Sequence, residues 1–189
     1  MTQQTSFDSA DLVLREIEAQ AEDAFLPIIG PDKGKYLATE VHKANPRRVL
    51  EVGTLVGYSA ILMGKEMQAG SEIVSIEIHR DEAELAGENI ISANVPAKIK
   101  VIIGNALDVI PTLQGSFDLV FIDAEKTEYL QYLKLAEPKL HMGTVVFADN
   151  AGVFATQMAD YLHYVRHSGL YESQYIQVGG DGVEVSVKL

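Results

Sequence analysis

The chain has 189 residues, enough for one domain with a single well-formed core, and its apolar and charged fractions of 47% and 22% are those of a globular protein. Its formal charge of -12 disfavours a nucleic-acid substrate, which calls for a clustered basic face. It has no cysteine, which excludes disulfides, thiolate metal sites and cysteine nucleophiles together, so any metal must be held by oxygen or imidazole.

The opening stretch, MTQQTSFDSADLVLREIEAQ, carries neither a basic leader nor the apolar core of a signal segment, and no apolar run is long enough to cross a bilayer. A cytoplasmic protein without membrane association is expected. Asp8 or Ser9 can cap a first helix in which Leu14, Ile17, Ala21 and Ala24 recur at helical spacing, with Glu16, Glu18, Glu22 and Asp23 solvated. Such a helix covers its own domain or a symmetric partner, and a homodimer is one expected arrangement. PIIGPDKGKYL then breaks the pattern with Pro27, Gly30, Pro31 and Gly34, ahead of a second helix over 35–43.

From there the rhythm is regular. Strand-like segments at 47–52, 72–77, 98–104, 117–123 and 143–149 alternate with helical ones near 57–68, 80–93, 105–113 and 125–140, which predicts a doubly wound α/β sheet. Near-continuous Val/Ile/Leu runs suit parallel strands covered on both faces. A helix near 154–168 leads to YESQYIQV and GVEVSVKL, and the GGD between them suits a hairpin, so an antiparallel pair should close the sheet. The expectation is one domain over 1–189, with a helical cap at 1–45 and a Rossmann-like core at 46–189.

The first βα junction runs Glu51, Val52, Gly53, Thr54, Leu55, Val56, Gly57, Tyr58, Ser59. Glycines there allow a tight turn and close approach of backbone to a ligand. Leu55 stands where a dinucleotide fingerprint has its middle glycine, and no Gly-Lys-Ser/Thr follows, so neither an NAD site nor a P-loop is indicated. Taken alone, these glycines are an ordinary structural turn. Glu77 ends the second strand and can accept both hydroxyls of a ribose, and Gly104, Asn105 and Ala106 form another small-residue turn after the third. All three features fall on one sheet edge, where α/β folds bind ligands, and a nucleoside is implied.

Asp123 ends the fourth strand and Asp149-Asn150 the fifth. Singly, each acid caps a helix or makes a turn. Jointly, two carboxylates and an amide oxygen on neighbouring strand ends suit a hard cation such as Mg²⁺. Lys126 follows Asp123 by about one helical turn, within reach of a group bound at such a cation, and proton transfer to it is feasible there. Glu125 pulls in the opposite direction, and its orientation is open. His163 and His167 share a helix face that reads as solvated rather than metal-binding. Ser59 lacks the Gly-x-Ser-x-Gly context of a serine nucleophile.

In order along the chain, GPDKGKYL, VLEVGTLVGYSA, VSIEI, FIDAEKTEYL, GTVVFADN and DGVEVSVKL resemble the small metal-dependent, S-adenosylmethionine-dependent O-methyltransferases typified by catechol O-methyltransferase. The resemblance runs from about Gly30 to Leu189. It implies a class I methyltransferase fold, with a seven-stranded, mostly parallel sheet. It also implies S-adenosylmethionine binding by Glu51, Gly53, Thr54, Tyr58 and Ser59 at the methionine end, Glu77 and Ile78 at the ribose, and Gly104, Asn105 and Ala106 beside adenine, with Asp123 bordering the cofactor. Asp123, Asp149 and Asn150 would hold Mg²⁺, Lys126 would be the general base, and a small catechol-like or vicinal-diol molecule would be the acceptor. Departures stand beside these matches: Phe25 and Pro27 replace the aromatic and sulfur side chains that frame the ring, Ala124 and Glu125 replace adenine-contacting rings, and there is no tryptophan. A macromolecular acceptor and a non-catalytic nucleoside-binding module are the competing readings.

Overall fold

The computed structural model describes residues 8–23 and 26–189. Ala24 of the first apolar repeat and Phe25 of the acceptor entrance lie outside the described residues. Two helices come first: α1 (Ser9–Asp23) and α2 (Gly30–Ala44). The second starts one turn earlier than expected because Pro31 sits in its first turn, where a missing N–H costs nothing, and it stops at Asn45, which takes the left-handed conformation at φ 44. Then follow β1 (Arg48–Val52), α3 (Tyr58–Glu66), β2 (Glu72–Glu77), α4 (Arg80–Ala93), β3 (Lys98–Ile103), α5 (Ala106–Thr112) and β4 (Phe117–Ile122). Past a 3₁₀ turn (Lys126–Glu128) come α6 (Tyr129–Ala136), a second 3₁₀ turn (Glu137–Lys139), β5 (Leu140–Ala148), α7 (Ala159–His167), β6 (Tyr171–Val178) and β7 (Asp181–Lys188).

These strands form a seven-stranded sheet in the order β3-β2-β1-β4-β5-β7-β6. The first five are parallel, while β7 runs antiparallel to β5 and to β6, as the hairpin reading required. Side chains alternate across β4: Leu119 and Phe121 enter the core shared with α1, α2 and α3, whereas Val120 and Ile122 enter the opposite core with Ile110, Tyr129, Leu133 and Tyr161. Both cores are apolar, so the sheet is sealed on each face. A bidentate ion pair ties α7 to β7: Arg166 Nε and Nη2 donate at 2.7 and 2.6 Å to the fully buried Glu184.

Three further element boundaries depart from the periodicity. The helix expected over 125–140 is α6 flanked by 3₁₀ turns, because Pro138 cannot donate to a continuing ladder. The strand expected from 143 begins at Leu140, with a register irregularity against β4 between Phe117 and Leu119. The helix expected from 154 begins at Ala159, since the chain from 149 is held in turns tied to β7, as Ala151 N donating to Gly182 O at 2.9 Å illustrates. On its own domain α1 packs over α3 and α4, with Glu18 accepting from Tyr58 Oη and Lys65 paired to Asp11.

Candidate active site

β1 is the pivot of the topology. Successive crossovers go from β1 through β2 to β3 on one side, and the chain then returns to β4 on the other, leaving a crevice at the carboxyl edge where connections diverge. A cleft of about 860 Å³ opens there. Its walls carry Gly53, Thr54, Tyr58 and Ser59 after β1, Glu77 and Ile78 after β2, Gly104, Asn105 and Ala106 after β3, Asp123 and Lys126 after β4, and Asp149 and Asn150 after β5. Residues as far apart in sequence as Pro27 and Phe154 thus share one space, and Pro27, Ile28, Ile29 and Phe154 give it apolar surface.

Glu51 departs from its expected place. It is not on the wall but wholly buried behind it, where its carboxylate accepts from Ser59 Oγ at 2.5 Å and from Ser75 Oγ. Its support of the cleft is therefore indirect, through Ser59. Burial pushes the Glu51 carboxyl up to about 7, against the two serine hydroxyls and with Asp123 and Glu77 adding to the rise.

At the glycine loop, backbone geometry sets the shape. Gly53 has φ 98, and a Cβ there would overlap the carbonyl of Asp123, so only glycine lets the turns after β1 and β4 touch. Leu55 takes φ 49 without being glycine. Glu77 holds that strained turn: its Oε2 accepts from Thr54 N at 3.2 Å and Leu55 N at 2.8 Å, and its Oε1 from His79 N at 2.9 Å. A carboxylate has about four acceptor positions, so room for a ligand hydroxyl remains on Oε1. Glu77, His79 and Glu82 also bring possible ligand atoms within 4.8 Å of one another, but the backbone bonds already commit Glu77 to the loop. Asn105 caps α5, its Oδ1 accepting from Leu107 N at 2.8 Å.

Charge sets the shape at the aspartate end. Lys126 Nζ donates to Asp123 Oδ1 at 2.8 Å and to Tyr129 Oη at 2.9 Å. Glu125 turns out to be the cap of the turn that carries this lysine: its Oε1 accepts from Thr127 N at 3.2 Å and Thr127 Oγ1 at 3.0 Å, and these bonds hold its carboxyl below the usual range. Asp149 is 1% exposed. Burial and then the charge of Asp123 push its carboxyl up to about 6, opposed by Lys33. Lys33 comes from α2, and its Nζ lies 2.6 Å from Asp149 Oδ1 and 2.8 Å from Oδ2, with hydrogen-bond geometry only to the second. Asp149 Oδ1 is thus a buried carboxylate oxygen with a cation beside it and no hydrogen bond. Asp123, Asp149 and Asn150 line the same cleft and have two carboxylates and an amide oxygen to offer, the donor type that a small hard cation takes.

Lys33 and Asp181, which pairs with it, escaped the reading of single motifs. Their partners lie 116 and 148 positions away in sequence, and the available signal was that both sit inside GPDKGKYL and DGVEVSVKL. His163 and His167 lie on the exposed face of α7 with rings 4.9 Å apart, away from the cleft.

The sequence model of the family described as O-methyltransferase matches residues 3–166. The chain belongs to the O-methyltransferase family. It is 36% identical over 174 residues to catechol O-methyltransferase B of Danio rerio, covering 85% of this chain and 65% of that protein. It is also 36% identical over 143 residues to the catechol O-methyltransferase of Mycobacterium tuberculosis, covering 74% and 65%. The chain therefore spans slightly under two thirds of the length of these two relatives. Among solved structures, the O-methyltransferase of Bacillus cereus in complex with SAH matches over 100% of this chain and 94% of that one, at 25% identity and a TM-score of 0.85. The sheet order and the family agree with the class I expectation. No helix among the described residues is long and apolar enough to cross a membrane.

Proposed function

We propose that this O-methyltransferase moves the methyl group of S-adenosylmethionine to a hydroxyl of a small catechol-like or vicinal-diol acceptor, with Asp123, Asp149 and Asn150 holding Mg²⁺ and Lys126 accepting the proton. The observation that carries the reading is the convergence of the glycine loop, Glu77, Lys126 and the Asp123/Asp149 pair on one cleft. The named activity of the catechol O-methyltransferase relatives supports the acceptor class, and a net charge of -12 supports a small molecule over a nucleic acid.

In the reaction the acceptor oxygen attacks the methyl carbon as the C–S bond breaks, its electron pair returning to sulfur, so a sulfonium and an oxyanion become a thioether and an ether. Bound beside the hydroxyl, the cation would supply Lewis acidity and lower its pKa. Lys126 takes the hydroxyl proton on Nζ, for which it must first be a neutral amine. Tyr129 Oη can donate to that amine and accept from the ammonium that results, so the lysine keeps a partner in both states. The Gly53–Ser59 loop and Glu77 fix the donor, while Pro27, Ile28, Ile29 and Phe154 limit water around two opposite charges that must meet.

The test is turnover with a catechol after divalent cations are stripped by a chelator, alongside Asp149→Ala. Both should lower kcat by at least about 10²-fold, while calorimetry gives a cofactor Kd within about twofold of wild type. Undiminished turnover in the chelator would remove the cation from the reading.

A further inference from the structure

The turn that carries Asp149 and Asn150 is held from outside itself. Asn150 takes a left-handed φ of 62, a conformation that needs support, and the support is Asp181, the first residue of β7. Asp181 Oδ1 accepts from Gly152 N at 3.2 Å and Val153 N at 2.9 Å, and its Oδ2 accepts from Asn150 Nδ2 at 2.9 Å and Lys33 Nζ at 3.0 Å. Burial would raise this carboxyl, but the Val153 amide, the Asn150 amide and Lys33 overcome it and hold it well below the usual range. The hub is also closely packed. A Cβ on Gly152 would meet the Tyr175 hydroxyl at 2.6 Å, one on Gly182 would run into the Tyr175 ring, and Tyr175 Oη donates to Asp181 O at 3.1 Å.

We infer that Asp181, acting with Lys33, is the positioning centre of the cation site: it decides which end of the Asn150 amide faces the cleft and where the Asp149 carboxylate is held. An amide has one donor end and one acceptor end, and an ionised carboxylate only accepts. Facing Asp181, Asn150 must present Nδ2 to it, which commits the amide oxygen to the cleft as a ligand atom. Lys33 bridges the same Asp181 oxygen to Asp149, its Nζ lying 2.6 Å from Oδ1 and 2.8 Å from Oδ2, which fixes where that carboxylate stands. Because Lys33 belongs to α2, the bridge also locks the helical cap, whose preceding residues Ile28 and Ile29 line the cleft, to the strand edge. Outer partners of this kind orient metal ligands and typically change affinity by about 10–100-fold when lost.

This inference rests on the cation reading above, and the experiment separates the two. Mn²⁺ binding to the full chain is followed by electron paramagnetic resonance of the free ion, and binding of S-adenosylhomocysteine by calorimetry. Asp181→Asn should weaken Mn²⁺ binding about 10–100-fold with S-adenosylhomocysteine affinity within about twofold. Lys33→Met should also weaken Mn²⁺, and Lys33→Arg should recover part of the loss. An Asp181→Asn protein that binds Mn²⁺ as wild type does would overturn the inference alone. A wild-type chain that binds no Mn²⁺ would overturn the cation reading and the inference with it. Loss of both ligands in Asp181→Asn would show a merely structural role. Should that variant not fold, Lys33→Met decides: unchanged Mn²⁺ affinity there sinks the proposal.

Discussion

The two ends of the cleft are held by different forces. At the glycine loop, the neighbouring backbone is the partner: Glu77 accepts amides of Thr54, Leu55 and His79, and Gly53 lies against the Asp123 carbonyl. At the aspartate end, three carboxylates, Asp123, Asp149 and Asp181, are balanced by two ammonium groups, Lys126 and Lys33. Backbone bonds to a buried acid are little affected by ions in solution, whereas a cluster of like charges lowers its energy by recruiting a cation. The first end is therefore preformed for its ligand, and the second remains responsive to what is bound. The contact of Gly53 with Asp123 is where the two meet.

Breaking that contact should have the largest effect. Gly53→Ala introduces a side chain where φ is 98 and where the Asp123 carbonyl already sits, so either the turn after β1 or the one after β4 must move. The expected cost is about 4 kcal/mol of stability, measured by denaturant unfolding. Because Asp123 moves with its carbonyl, cofactor affinity and cation affinity should fall together. A variant losing only one of them would show that the two ends are mechanically independent.

How far this architecture was legible in the sequence depended on distance along the chain. Asp123, Asp149 and Glu77 could be read because each is a polar residue ending an apolar strand, and parallel α/β topology brings such ends to one edge. The alternation of strands and helices gave the sheet for the same local reason. Lys33 and Asp181 could not be placed by spacing, since their partners are set by how α2 packs on the sheet and by the pairing of β7 beside β5. The wall position of Glu51 was misjudged because a strand residue next to a turn can point to either face, and only the burial of its neighbours shows which. The onset of α7 was placed too early for a related reason: the turns at 149–158 are stabilised by a strand that comes later in the chain.

A pH measurement sharpens the comparison at the glycine-loop end. The Glu51 carboxyl stands at about 7 in the folded chain against a model-compound value near 4.5, so the folded state keeps its proton where the unfolded state has released it. Stability contributed by that proton is fully present below about pH 4.5 and is lost as pH rises through 7, a change on the order of 3 kcal/mol. Asp149, held up at about 6, adds a slope of the same sign, so the informative quantity is wild type minus Glu51→Gln. That difference in unfolding free energy should decline across the window and be flat above it. A difference independent of pH would mean that Ser59 and Ser75 stabilise the carboxylate more than burial disfavours it.

The smallest expected effect concerns Glu125, the charge beside Lys126. Its side chain caps the 3₁₀ turn that starts at Lys126 and is exposed to water, so its ionised form acts locally through Thr127 rather than through the cleft's charge. Removing the cap in Glu125→Ala should cost about 1 kcal/mol or less. If Glu125 only shapes the turn, kcat should fall a few-fold with its pH profile unshifted, and Glu125→Asn, which keeps a capping oxygen without the charge, should restore it. If instead the charge itself matters at Lys126, Glu125→Asn would behave like Glu125→Ala and restore nothing. The capping geometry favours the first outcome: both Thr127 donors converge on Oε1, which ties the carboxylate to the turn's N–H groups.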